Sequence, residues 1–304
     1  MKNHSNGNTN VETLLERNGI SICYKTFGIP TNPCIILIMG LGGQLIDWPT
    51  PILQGLANNG FYVIVFDNRD AGLSRYYDNL QTPELLEALI AKEQGRTIDP
   101  PYTLDAMAAD VIMLMDGLEI KKAHIVGVSM GGMIGQILAL QYPERILSLT
   151  CIASTSGDPH LPPAKSEVLA LFFAGRGPVE NMESVVNHRM QIYKVYNHPD
   201  DVNVRKAREH FIISYQRADN PEGFTRQLLA IIFAEPRLER LKQLKLPTLI
   251  IHGDYDPAFS LEHGKQLAKL IPQARLEIIK KMGHGLPVSV YKKLVELIAN
   301  HCKS

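Results

Sequence analysis

Apolar residues along this chain gather in two recurring patterns. In the first, short and partly β-branched runs are bounded by turn residues: ISICYKTF (20–27), CIILIMG (34–40), FYVIVFD (61–67), HIVGV (124–128), RILSLTCIAS (145–154), TLIIHG (248–253) and RLEIIK (275–280). The central runs are apolar at successive positions, as strands covered on both faces are, so they predict a parallel sheet. The second pattern is helical. Residues 103–118, TLDAMAADVIMLMDGL, place Met107, Val111, Leu114 and Met115 on one face behind a Thr103 cap. Residues 130–141, MGGMIGQILALQ, are apolar almost all round and stop at Tyr142-Pro143, as a helix wedged against a sheet would. Alternation of the two patterns predicts an α/β fold, a mostly parallel central sheet flanked by helices.

The alternation lapses between 155 and 242. Helix-like stretches fill this interval (VLALFFAG, ENMESVVNHRMQIYKVY, VRKAREHFIISYQRA and FTRQLLAIIFA), separated by GRGP, NHPDD and ADNPEG, whose glycines and prolines mark turns. At LKLPTLIIHG the α/β pattern resumes. The expected organisation is therefore a flexible lead-in over 1–17, an α/β core over 18–154 and 243–304, and an inserted helical cap over 155–242.

Composition narrows the partners. The chain has 304 residues, 45% of them hydrophobic, enough for one large core. Its 31 basic and 31 acidic side chains cancel, which argues against a whole-domain field that would attract nucleic acid or an anionic membrane and leaves only a local patch open. The N-terminal MKNHSNGNTNVETLLE resembles neither a signal nor a transit peptide, and no apolar run approaches the roughly 18 to 20 residues that cross a bilayer. Cys23, Cys34, Cys151 and Cys302 are far apart and form no CxxC pair, so buried thiols in a reducing cytoplasm are expected. There is no glycine-rich nucleotide fingerprint and no metal-spaced His and carboxylate cluster, which implies no cofactor and no metal.

The candidate chemistry lies at GVSMGG (127–132). A Gly-x-Ser-x-Gly alone is a weak signal, but here Ser129 follows the strand-like HIVGV and opens a helical run, the strand, sharp turn and helix of a nucleophile elbow. Gly127 and Gly131 remove Cβ atoms that such a turn would bring into collision, and the first helical turn offers unpaired N–H groups. A serine hydroxyl needs a base, and the base needs a carboxylate to hold its tautomer. Of ten histidines, His284 stands in a glycine-flanked loop, KMGHGLP, after the last strand-like run, whereas His124 begins a strand and reads as structural. Asp254 and Asp256 are both acid candidates in IHGDYDP, the loop that leaves TLII. Ligand sites of open α/β sheets lie at the carboxyl ends of strands, where these loops would meet Ser129.

Taken together, GLGGQ, DNRDAGLS, GVSMGG, HGDYDP and GHG resemble the α/β-hydrolase superfamily in order and spacing, over about residues 18–303. MGLGGQLIDWP with FDNRDAGLS is similar to the subgroup that includes aclacinomycin methylesterase and related small-molecule esterases. The resemblance implies Ser129 as nucleophile, His284 as general base and then acid, and Asp256 as its orienter. The family's Gly-x-x-Asp pattern selects Asp256, leaving Asp254 as a loop hydrogen-bonder. It also implies an oxyanion hole from the backbone N–H groups of Met130 and Leu41, with the Met130 side chain free to vary. Where many relatives carry His-Gly, this chain has Met39-Gly40, which removes a histidine contact from that loop. Arg69 and Asp70 are expected to stabilise the loop after their strand. Trp48 is a candidate substrate contact walling the acyl pocket, or else packs under the loop.

Serine at the elbow implies an acyl-enzyme, where related dehalogenases and epoxide hydrolases carry aspartate. Met130 after the serine differs from the tryptophan of proline iminopeptidases. The implied substrate is a carboxylic ester or lactone of a small, largely apolar molecule. Thioesterase and C–C hydrolase chemistries can use the same triad, and a ligand-binding receptor is the non-catalytic alternative. Phe172, Phe173, Met190, Tyr193, Phe211, Tyr215, Phe224 and Phe233 are the aromatic and thioether side chains that the inserted helices have available for a pocket.

Overall fold

The structure, a computed structural model, describes residues 11–96, 98–174 and 181–303, without the side chains of Phe173 and Ala174. Eight strands form one sheet: β1 (Thr13–Arg17), β2 (Ile20–Phe27), β3 (Cys34–Ile38), β4 (Tyr62–Phe66), β5 (Ala123–Val128), β6 (Ile146–Ile152), β7 (Thr248–Gly253) and β8 (Arg275–Ile279). Their spatial order is β1-β2-β4-β3-β5-β6-β7-β8. Pairing is antiparallel for β1 with β2 and for β2 with β4, and parallel from β4 through β8. This is the mostly parallel sheet that the unbroken apolar runs predict.

The two-sided burial is visible residue by residue. In β3, Cys34, Ile36 and Ile38 enter one apolar cluster while Ile35 and Leu37 enter the other. In β4, Tyr62, Ile64 and Phe66 divide in the same way from Val63 and Val65. Side chains that alternate across a strand fill both faces, so every position is apolar. Helices α1 (Thr50–Asn58), α2 (Leu85–Glu93), α3 (Leu104–Gly117) and α4 (Met130–Gln141) follow in chain order. Buried residues of α3 and α4 belong to the first cluster and those of α1 to the second. Thr103 caps α3, its hydroxyl accepting from the Ala106 N–H, as the sequence suggests.

Between β6 and β7 come α5 (Ser166–Ala174), α6 (Met182–Tyr196), α7 (Val204–Arg217), α8 (Pro221–Ile232) and the short α9 (Leu238–Leu241). Each helix-like stretch read in that interval is helical over most of its described residues, and Asn181, Asn203 and Asn220 cap α6, α7 and α8 with their side chains. The GRGP break lies outside the described residues. Helices α10 (Leu261–Leu270) and α11 (Tyr291–Lys303) complete the chain.

One boundary is corrected. The lead-in of 1–17 was expected to be flexible throughout, yet Thr13–Arg17 pairs with β2 as an edge strand. TLLER is short, and its burial pattern is mostly exposed, so it lacks the apolar run by which the other strands are recognised. Backbone pairing with β2 makes it a strand. Residues 1–10 lie outside the described residues. Cys23, Cys34, Cys151 and Cys302 are free and buried, and burial pushes each thiol up to about 12.

Several histidines pack inside this core. His124 is buried on β5, its Nδ1 2.8 Å from the Ser148 hydroxyl. Burial, with His301 nearby, lowers its pKa to about 4, and burial also lowers those of His252, His263 and His301. A depressed folded-state value favours the neutral ring, so stability is fully present above the unfolded value near 6.5 and declines as pH falls towards the folded value. For His124 alone the loss approaches about 3 kcal/mol below both values. The urea midpoint is therefore expected to fall steadily from about pH 7 to about pH 5. A midpoint constant over that interval would contradict the assignment.

Candidate active site

The sequence GVSMGG takes the chain from β5 straight into α4. Ser129 lies between them at φ 54° and ψ −117°, a conformation that costs an L-residue on the order of 1–3 kcal/mol. Several contacts hold it there. Its N–H donates to the Ile152 carbonyl at 2.9 Å, and its own carbonyl accepts from the Ser154 hydroxyl at 2.8 Å and the Gly132 N–H at 3.0 Å. The flanking glycines let backbone meet backbone. A Cβ on Gly127 would run into the Gly131 carbonyl, and one on Gly131 into the carbonyl oxygen of Ile38 at the end of β3. Gly40, in the loop after β3, lies against Ser129 itself, where an added Cβ would be 3.3 Å from the serine Cβ.

Three distant segments converge on the serine. His284, in the loop after β8, has Nε2 3.0 Å from Ser129 Oγ. Its Nδ1 lies 2.9 Å from Asp256 Oδ2 and 3.1 Å from Oδ1. Asp256 belongs to the loop after β7, and its Oδ1 accepts the N–H groups of Ala258 and Phe259 at 2.8 and 2.9 Å. Burial works to raise the Asp256 pKa, but the adjacent His284 ring, His252 and the Phe259 N–H outweigh it and hold the carboxyl below its usual range. His252, fully buried, has Nε2 2.8 Å from the Phe259 carbonyl and 3.6 Å from Asp256. A carbonyl can only accept, so His252 Nε2 is the N–H donor of that contact. Hydroxyl, imidazole and carboxylate thus stand in an order that can take a proton from Ser129 and balance the resulting imidazolium.

Asp254 is exposed and accepts the Lys281 N–H at 2.6 Å, away from His284. Met130 begins α4, and Leu41 lies in the loop after β3; among the described residues neither N–H has an acceptor. The Met130 side chain, expected to be replaceable, is fully buried in the cluster shared with α3 and α4. An apolar helix start pressed against the sheet has no solvent face, so truncating it would cost about 2–5 kcal/mol. Trp48 is 1% exposed within the apolar cluster that includes Met39, Leu45 and Ile52. It therefore packs under the loop.

Arg69 and Asp70 do more than brace their own loop. Arg69 forms a two-pronged pair with Asp110 of α3 at 2.6 and 2.7 Å. Asp70 accepts the Tyr77 N–H, but its carboxylate also takes two bonds of 2.9 Å from the buried Arg226 of α8. Gln44, one residue past the glycine turn, donates to the Ser214 and Ala218 carbonyls at the C-terminal end of α7.

Sequence reasoning missed the ring contacts to the histidine. Tyr196, at the end of α6, lies edge-on to His284 with centroids 4.8 Å apart, and its carbonyl accepts the His284 N–H at 2.8 Å. Phe259 approaches the same ring at 5.5 Å. Gly283 fits because a Cβ there would strike the Tyr196 carbonyl. No local motif signals such contacts. Of the eight candidate pocket residues, Phe224 lies on the Gly42 backbone with Phe172 stacked on it at 6.1 Å, whereas Tyr193 and Phe211 pack on each other. Phe233 lines a separate hollow of about 430 Å³ with Thr103 and Arg237, which contains none of the three converging residues.

The sheet order, the strained turn and the convergence at strand ends define an α/β-hydrolase architecture. A profile described as alpha/beta hydrolase fold matches residues 33–288, and the chain belongs to that family. It is 27% identical to rhodomycin D methylesterase of Streptomyces sp. (strain C5) over 314 aligned positions, covering 96% of this chain and 98% of the relative. It is 26% identical to 3-oxoadipate enol-lactonase 2 of Acinetobacter baylyi, covering 86% and 85% respectively. Among solved structures, the enol-lactonase of Burkholderia xenovorans LB400 superposes with a TM-score of 0.73 at 23% identity, over 96% of this chain and 100% of that one. No helix among the described residues is long and apolar enough to cross a membrane.

The close approach at the elbow makes Gly131 intolerant of any side chain. Because the obstructing atoms are backbone, Gly131→Ala is expected to lower stability by about 1–3 kcal/mol or more, read as a lower urea midpoint. An unchanged midpoint would mean that the turn has more room than its geometry indicates.

Proposed function

We propose that this chain is a serine hydrolase that cleaves a carboxylic ester or lactone of a small, largely apolar molecule through an acyl-enzyme. The observation that carries the reading is the continuous contact from Ser129 Oγ through His284 to Asp256. Attack of Ser129 Oγ on the substrate carbonyl passes its proton to His284 Nε2. The new negative charge falls on the carbonyl oxygen, where the N–H groups of Leu41 and Met130 stabilise it, and the positive end of α4 adds to them. Collapse breaks the acyl–oxygen bond as His284 protonates the departing alkoxide. Water, deprotonated by His284, then releases the acid and restores Ser129. Asp256, kept ionised by its surroundings, holds Nδ1–H and so leaves Nε2 free to accept.

Relatives named as a methylesterase and an enol-lactonase support an ester or lactone as substrate class. In this reading the inserted helices are a cap, and the stacked Phe172 and Phe224 give the acyl or alcohol group an apolar wall beside the Gly42 loop.

A fluorophosphonate probe is expected to label the protein and to leave Ser129→Ala unlabelled; labelling of both alike would remove Ser129 from the mechanism. On a p-nitrophenyl ester, Asp256→Asn should lose about 10⁴-fold in kcat, while Asp254→Asn stays within about threefold. The opposite ranking would transfer the orienting role to Asp254. A panel of esters, lactones, thioesters and vinylogous diketones tests the substrate class, and turnover confined to the diketones would replace ester cleavage by C–C hydrolysis.

A further inference from the structure

We propose that Gln227, on the inserted helix α8, is a positioning residue for the oxyanion side of the site. The inference rests on the reading of Ser129 as nucleophile and Leu41 as oxyanion donor. Residues Gly40 to Gly43 form a tight turn closed by the Gly43 N–H on the Gly40 carbonyl at 3.2 Å, with Gly42 in the left-handed region at φ 67°. The soft motion of such a turn is rotation of its central peptide, which joins Leu41 to Gly42. That peptide's N–H is held by Gln227 Oε1 at 2.8 Å. Gln227 is itself fully buried, and its Nε2 donates to the Arg69 carbonyl at 2.7 Å.

Both ends of one amide are thus engaged, one on each of two loops that leave adjacent strands, β3 and β4. One turn earlier on α8, Phe224 lies directly against Gly42, where a Cβ would be 2.6 Å from the ring. The adjacent Arg226 locks α8 to Asp70 through its buried pair. The helix is therefore fixed from below, and Gln227 transmits that fixed position to the turn. With the central peptide pinned, the Leu41 N–H has no slack, so it awaits the oxyanion already oriented. Preorganised donors of this kind act on the transition state and leave substrate affinity largely unchanged. The inserted helices accordingly supply part of the catalytic geometry as well as covering the substrate.

The test uses p-nitrophenyl butyrate hydrolysis and the rate of fluorophosphonate labelling. Gln227→Met keeps the length and removes both hydrogen bonds; kcat and the labelling rate should each fall about 10- to 100-fold, with KM within about threefold. Gln227→Glu supplies the internal readout. Its carboxyl, when protonated, offers the same acceptor to Gly42 and the same donor to Arg69 as the amide, but loses the donor on ionisation. The kcat of Gln227→Glu relative to wild type at the same pH should therefore rise several-fold as pH is lowered from about 8 to about 6. Wild-type kcat in Gln227→Met, or a flat ratio across pH in Gln227→Glu, would overturn the proposal. Should Gln227→Met fail to fold, the pH ratio decides alone. If Ser129→Ala retains wild-type turnover, the underlying nucleophile assignment fails instead, whatever Gln227 does.

Discussion

Ser129 occupies a backbone conformation that it would leave if free to do so, and much of the architecture around it serves to prevent that. Strand β5 brings the chain to the middle of the sheet, and α4 must start at once because Gly131 is pressed against the end of β3. The peptide N–H of Ser129 is tied to β6, and its carbonyl to Ser154 and Gly132. No single bond here is strong, since each contributes about 0.5–1.5 kcal/mol net. Their convergence on one residue, with backbone packed on backbone, leaves the side chain a single direction. That direction faces His284.

The polar interior follows a related logic. Asp67 and Asp70, just past β4, are buried carboxylates, and each is met by an arginine from the inserted helices, Arg217 at 2.7 Å and Arg226 at 2.9 Å. Buried ion pairs contribute little net stability, but a mismatch would leave an uncompensated charge, so they specify one seating of a helix over all others. Gln44 adds bonds to α7, and Gln227 adds bonds to both loops. The far end of the insertion does the same for the histidine, through the Tyr196 carbonyl and ring. Helices that connect two strands of the sheet thus brace both sides of the converging residues.

Much of this arrangement is legible in the sequence. Largely apolar runs marked β3 to β7 because both faces of these strands are buried, even where a polar residue such as His124, Ser148 or His252 is buried among them, and Thr103 marked the start of α3 because an N-cap is a local requirement. Edge strand β1 was not legible, since TLLER is short and exposed and owes its conformation to β2. Ser129 and its glycines were readable as a motif because the pattern spans six residues, although β3 and β6 supply much of what holds the turn. His284 and Asp256 could be nominated from loop position, and the choice of Asp256 over Asp254 came from the family pattern. Trp48 lies in the core under the loop, and the Met130 side chain, which the motif leaves free to vary, is fully buried. In each, backbone or loop position could be read, but the side chain's surroundings belong to other elements.

What the sequence determined by itself is therefore the set of strands and helices carried by local periodicity, and a serine turn recognisable from its own glycines. The tertiary structure decided the partners. Asp256 meets His284 across 28 residues, His284 meets Ser129 across 155, and Gln227 reaches Gly42 across 185. Such contacts leave no periodic trace, because a buried glutamine or arginine looks like any polar residue on a helix. Only the folded sheet, by ending its strands side by side, determines which of them face one another.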